Sequence, residues 1–402
     1  MLSHSSIYAE LLSNIRQISL AVSLRSPSDG STRVAVTADG SDVELRHQGE
    51  MQRLALPAKI AHGGAVLPIN TQGVSTLTWR LPLDPTSSQQ KNTTDGDAAP
   101  WSATDLEAGS AVTCRQCGAV VVDRDAIKVW KDLPSENWAE MMEFWHCHKP
   151  NEAEHHSHEN GKADDRSLAA RGYGASSNIS AQNGVGFVDL TTLLFSESAS
   201  ASLTFSTSGY EHGSTDRHAL AETNASGSQH RGLNVFCSAC HTQLGFFNFR
   251  AAAVTLLKWQ ISCKSTSAHT PDISECLAAT IISTISRSAS SKALITPIND
   301  TPIGTNAQAN TRNALHIWVM NKDIVYSTST AERSTPAIKL LYRLVPREQA
   351  ERMLEVITCD AQEISIPSDA LGRVIQSLDE SNMLLPGSER LFQQWKVGLL
   401  AR

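Results

Sequence analysis

The sequence predicts an α+β, β-rich protein with an N-terminal antiparallel β-domain, a metal-clipped middle region and a mixed α/β C-terminal part. Three observations lead there. Short segments alternating with period two recur at regular spacing over residues 7–80. Two Cys-x-x-Cys pairs stand more than a hundred positions apart, and segments with helical period gather in the C-terminal part.

The N-terminal segments QISLAVSL, STRVAVTADG, DVELRHQG, MQRLALPAKI and STLTWRLPL are separated by turn residues such as SPSDG and DG. That spacing suits a small antiparallel sandwich or barrel over residues 1–82. Residues 83–109, including DPTSSQQKNTTDGDAAPWSATD, read as a polar linker.

The middle region, residues 110–263, opens with SAVTCRQCGAVVVDRDAIKVW as strand, tight turn and strand. It resumes at GVGFVDLTTLLFS and again at NVFCSACHTQLGFFN, and AAAVTLLKWQISC reads as one strand. Two insertions, 151–181 and 197–230, lack apolar periodicity and are expected to be disordered. Residues 264–402 form the C-terminal domain. In it ALHIWVMNKDIVYST and PAIKLLYRLV read as strands, and PREQAERMLEVI and SDALGRVIQSLDES as helices. Pro346 lies near the start of the first helix, and Ser368 is the N-cap candidate of the second.

A net charge of −7 and a pI near 6.1 provide no basic field for nucleic acid or an acidic membrane surface. No apolar run approaches the roughly 20 residues that span a bilayer. The start, MLSHSSIYAELLSNIRQISLAV, lacks a basic segment followed by a continuous apolar block, so no secretory signal is expected. Eight cysteines in such a chain are expected to stay reduced, in the cytoplasm or the nucleus.

The chemistry concentrates in CRQCG at 114–118 and CSACHTQLG at 237–245. Two residues between cysteines let one tight turn aim both sulfurs at a single ion, and glycine after the second cysteine suits the backbone reversal. Cys114, Cys117, Cys237 and Cys240 therefore predict one structural four-cysteine zinc site joining two distant segments. In the second pair the glycine comes five residues later.

The segment LPSENWAEMMEFWHCHKP, residues 133–150, carries a second signal. Ser135 can cap a helix on which Trp138, Met141, Met142 and Trp145 share one face. His146, Cys147 and His148 close it. Three open roles remain for Cys147: packing, contact with a metal, or a reactive thiol. Cys359, in EVITCDAQEISIP, follows a helix and reads first as a packing cysteine.

With these residues in view, the chain resembles the HECT-like ubiquitin-conjugating-enzyme-binding family. The resemblance rests on YAELLSNIRQISLAVSL, CRQCG, LPSENW with the following W-x-C-H, CSACHTQLG and LLPGSERLFQQWKVGLL, in that order. It implies a ubiquitin ligase of the thioester-forming type, with a ubiquitin-conjugating enzyme and ubiquitin as partners and cyclin-type substrates. It nominates Cys359 and Cys147 as catalytic candidates, although Asp360 stands where HECT domains carry Phe after the cysteine. It also implies an alternative, a binding partner, inhibitor or chaperone of the zinc-dependent nuclease of pre-mRNA 3′-end processing. In that alternative Trp138, Trp145, Cys147 and His148 make the contact.

Overall fold

The computed structural model describes residues 5–69, 72–85, 100–133, 181–207, 209–216, 232–249, 252–266, 269–298, 313–331, 333–356 and 359–402. Two compact units emerge. One is built from Met1–Ala98, Ile273–Asn299 and Asn306–Arg402, the other from Ala99–Asp272 and Asp300–Thr305.

The first unit starts with β1 (Ser6–Leu12) and β2 (Gln17–Ser23), a hairpin whose turn uses Arg16 in the left-handed region at φ 52°. A separate three-stranded sheet follows: β3 (Arg33–Val36), β4 (Asp42–His47) and β5 (Glu50–Ala55). Gln48 and Gly49, both at positive φ, form the two-residue β4–β5 turn whose twist matches its strands. Along β4, Val43, Leu45 and His47 point inward and alternate with more exposed residues. β6 (Thr76–Pro82) pairs with β2. Ile18, Leu20, Val22, Val34 and Leu45 centre the shared core, so the curled antiparallel sheet expected at the N-terminus is present.

The second unit carries β7 (Val112–Cys114), β8 (Val120–Val122), β9 (Val129–Asp132), β10 (Val185–Val188) and β11 (Thr192–Ser196). β12 (Leu203–Ser206), β13 (Leu233–Cys237), β14 (Gln243–Asn248), β15 (Ala253–Leu257) and β16 (Ile261–Cys263) complete it. Seven strands form one sheet, β12-β13-β14-β15-β11-β10-β9, and three form another, β16-β7-β8. The segment AAAVTLLKWQISC is not one strand: a 3-10 turn at Lys258–Gln260 breaks it, sending β15 and β16 to different sheets. Lys258 is wholly buried at that break, and its ammonium donates to the carbonyls of Pro100 and Trp101. Trp101 and Leu106, from the polar stretch, join a core centred on Phe195, Phe247 and Leu256.

The chain then returns to the first unit with α1 (Ile273–Ser288), β17 (Lys292–Pro297), β18 (Asn313–Thr328) and β19 (Thr335–Pro346). α2 (Arg347–Glu355), β20 (Ala361–Ile366), α3 (Ser368–Leu384), β21 (Leu391–Phe392) and β22 (Trp395–Ala401) follow. A nine-stranded sheet runs β21-β22-β19-β18-β1-β2-β6, with β17 also on β18 and β20 parallel to β17. β18 is its organiser. Its first half pairs with β17, its second half with β1, and β19 runs along its other side. Register shifts between Val319 and Ile324 separate the halves and supply the local twist of a bulge.

α3 covers one face of β22, with Leu371, Val374 and Leu378 buried and Leu378 resting over Gly398. Asp379 accepts hydrogen bonds from Tyr342 Oη at 2.6 Å and Lys396 Nζ at 2.7 Å, tying the helix to β19 and β22. Pro367, not Ser368, is the α3 N-cap, and no side chain caps it; Asp369 faces the helix dipole from the first turn.

Two buried features generate tests. A Cβ at Gly245 would collide with the Thr255 carbonyl across the β14–β15 pair. Gly245→Ala is expected to destabilise the protein by about 2 kcal/mol or more in chemical denaturation. In the first unit, buried Glu10 accepts from Lys339 Nζ at 2.7 Å and Tyr8 Oη at 2.9 Å. Lys339→Met leaves that carboxylate without its cation and is expected to cost about 3 kcal/mol by the same measurement.

Candidate metal centre

Each Cys-x-x-Cys pair sits where a strand ends and the chain turns back. Cys114 closes β7 and Cys237 closes β13, so each pair is presented by a different sheet of one unit. The two turns share one bonding pattern. The Gly118 N–H donates to Cys114 O at 2.8 Å, and the Cys114 N–H to Ala119 O at 2.8 Å. In the second turn the His241 N–H donates to Cys237 O, and the Cys237 N–H to Thr242 O, both at 2.9 Å.

The residue after the second cysteine is left-handed in both turns, Gly118 at φ 74° and His241 at φ 65°. A glycine adopts that conformation freely, whereas histidine pays a steric penalty. Tyr210 offsets it by stacking on the imidazole, with centroids 3.6 Å apart and planes within 15°. The later glycine of the second pair, Gly245, serves the close approach to β15 rather than this turn. Neither His241 nor Tyr210 stands out in the sequence as part of a site, because the signal is a backbone angle and a stacking partner remote along the chain.

The turns bring four sulfurs together. Cys114 Sγ lies 3.6 Å from Cys240 Sγ, and Cys117 Sγ 3.6 Å from Cys237 Sγ. All four lie within 4.8 Å of one another, and all are free thiols. A disulfide needs about 2.05 Å between sulfurs. A tetrahedral ion with metal–sulfur bonds near 2.3 Å needs sulfurs about 3.8 Å apart, which this cluster nearly meets.

The protonation chemistry fits the same use. Burial pushes the Cys114 thiol up to about 12, against the pull of the Cys117 and Gln116 amides. Burial also raises Cys237, against the amides of Cys240 and Ala239. At Cys240 desolvation is outweighed by the Thr242 hydroxyl and amide and by the neighbouring sulfurs, and the thiol falls to about 6. Four thiolates this close repel one another, and a divalent ion relieves that repulsion while backbone amides hold the inner sulfurs. The residues present therefore suit a four-thiolate metal ion.

Other sequence candidates fare differently. Trp138, Trp145, Cys147 and His148 lie outside the described residues. Cys359 is half-buried against a small core containing Leu294, Ala314 and Ala350, and its sulfur lies 3.9 Å from the Ala361 carbonyl. Its neighbour Asp360 is engaged by Lys292 at 2.6 Å.

The fold and this cluster define a β-rich, two-unit protein with a knuckle-built tetrathiol site. Residues 10–397 match the family described as HECT-like ubiquitin-conjugating enzyme (E2)-binding, and the chain belongs to that family. An uncharacterized protein of Schizosaccharomyces pombe is 25% identical over 312 residues, covering 75% of this chain and 77% of the relative. An uncharacterized protein of Saccharomyces cerevisiae is 38% identical over 52 residues, 12% of this chain and 15% of that relative's length. No solved structure gives a significant match.

The purified protein is expected to carry one tightly held ion per chain by elemental analysis. Cys114→Ser should abolish it and lower stability by well over about 3 kcal/mol, since structural zinc supplies roughly 10 kcal/mol to small domains. Loading must displace protons from Cys114 and Cys237, so affinity should rise with pH and the ion should leave as pH falls. Retention of the full complement by the variant would rule out the four-sulfur arrangement.

Proposed function

We propose that the protein is a ubiquitin-transfer factor that recruits a ubiquitin-conjugating enzyme and carries zinc as a structural ion on Cys114, Cys117, Cys237 and Cys240. The family match over residues 10–397 supports the recruitment, since that family is described as binding such enzymes. The four-thiolate donor set supports the second. Soft sulfur ligands in tetrahedral array favour zinc over the hard cations that seek oxygen. A closed site of four protein ligands offers no open position, so the ion's part is structural.

The transfer step in this reading is a thiol exchange. A cysteine thiolate attacks the thioester joining ubiquitin to the conjugating enzyme; the new carbon–sulfur bond forms and the enzyme's sulfur leaves, taking up a proton. A lysine amine then attacks the second thioester, yielding an amide and returning the thiol. The cluster sulfurs are ill-suited to that role while they hold an ion, and Cys276 is wholly buried. Burial raises the partly buried Cys263 thiol, whose sulfur lies 3.5 Å from Ser110 Oγ, and the acceptor candidates are the two the resemblance nominates, Cys359 and Cys147.

Purified protein, charged conjugating enzyme and ubiquitin should give a conjugate that a thiol reductant cleaves. Cys359→Ser or Cys147→Ser should remove it while leaving conjugating-enzyme binding within about twofold. Binding without any reducible conjugate would reduce the role to recruitment, and loss of binding itself would overturn the reading.

A further inference from the structure

The face of the nine-stranded sheet opposite α3 carries a row of side chains that ubiquitin recruitment does not explain. Tyr342 and Lys396 point at α3, where both reach Asp379, so strand alternation places their neighbours Arg343 and Trp395 on the other face. Register puts His316 opposite Arg343, Lys292 opposite Trp318 and Phe392 opposite Trp395. Five strands thus contribute to one row.

Two cations sit over indoles there. Lys292 Nζ lies 5.3 Å from the Trp318 ring and the Arg343 guanidinium 4.3 Å from the Trp395 ring. His316 meets Trp395 edge-on at 4.7 Å. This is a positive, aromatic spot on a chain of net charge −7.

The imidazole's proton can be placed. Arg343 Nη2 lies 3.3 Å from His316 Nδ1. A guanidinium only donates, so Nδ1 accepts and the neutral ring carries its hydrogen on Nε2. Burial, Arg343 and Lys292 draw the ring's pKa down to about 4, with Asp360 acting oppositely, which keeps it neutral at pH 7. His316 is only 4% exposed, yet among the described residues Nε2 has no hydrogen-bond partner, and neither has the buried Nε of Arg343. The nearby carboxylate that acts on the ring, Asp360, is already engaged by Lys292.

Buried donors in folded proteins nearly always find acceptors. Two lacking them, the His316 ring and the adjoining guanidinium of Arg343, a group shaped to grip a carboxylate, call for an oxygen anion from outside. Phe392, 45% exposed, and half-buried Trp318 flank the spot with apolar surface. We propose that this face docks a protein segment presenting an acidic side chain beside an apolar one. The carboxylate engages Arg343 and, as the half-exposed guanidinium slides along the indole, the His316 N–H; the apolar neighbour packs on Phe392.

The test uses full-length protein with nitrogen-labelled histidine side chains, titrated with acetyl-Leu-Glu-Glu-Leu-Phe-amide, its glutamine counterpart and inorganic phosphate. The acidic peptide should shift the His316 Nε2–H resonance and bind at least about tenfold more tightly than the glutamine peptide by calorimetry. Arg343→Gln should weaken it by a similar factor, and Phe392→Ser should weaken it with the His316 resonance intact, which decides the matter should Arg343→Gln fail to fold. Equal affinity for both peptides, or an unmoved His316 resonance, overturns the proposal. A phosphate response matching the acidic peptide overturns it equally, by reducing the spot to a general anion site.

Discussion

The convergence of four sulfurs is the constraint on which the second unit depends. Cys114 and Cys240, 126 positions apart, approach to 3.6 Å, and Cys117 and Cys237, 120 apart, do the same. Each contact joins the three-stranded sheet to the seven-stranded one. The short strands concerned, three residues in β7 and five in β13, have little hydrogen-bonded length of their own. An ion held by both would close loops of 120 and 126 positions, and a crosslink across a long loop removes much conformational freedom. The stacked Tyr210–His241 pair shows how strictly the geometry is held: a left-handed histidine persists because its surroundings specify it.

The first unit is built on a different principle. Among the described residues, backbone pairing joins its distant segments. β18 bridges N-terminal and C-terminal strands, and its irregular centre lets the sheet turn from one set of partners to the other. Glu10 on β1, Lys339 on β19 and Glu389 near the C-terminus form a polar network across that junction. The N-terminal strands are hydrogen-bonded into the same sheet as the last strand of the chain.

How far the sequence discloses this depends on the range of the physics involved. Alternation in DVELRHQG reports one buried face, whereas in QISLAVSL the small Ser19 and Ala21 between the apolar residues are buried as well; both are strands. The Cys-x-x-Cys spacing is a local turn signal and marks the sulfurs that meet. By contrast α1, with Ile, Thr and Ser through ISECLAATIISTISRS, has weak intrinsic helicity and is held by burial of Ile273, Cys276, Leu277 and Ile281. It does not stand out from the Ser- and Thr-rich stretch around it. The pairing of β1 with β18 is equally silent, because alternation says which face is buried and not which strand lies alongside. Cys359 shows the limit at single-residue scale: the sequence reads it first as a packing cysteine, but its neighbours Leu294 and Ala350 belong to elements that the local sequence does not bring alongside it.

The reach from β1 to β18 has a consequence for the order of events on the ribosome. The Ile7 amide hydrogen-bonds to Ser329, 322 positions downstream. At roughly 5–20 residues per second, β1 waits about a quarter of a minute to a minute for that partner to be made. The stretch from Ala99 to Asp272 is complete well before then. Nascent β1 and β2 thus leave one edge unclaimed during translation, a window in which a chaperone, or a second nascent chain, competes for the place β18 later fills.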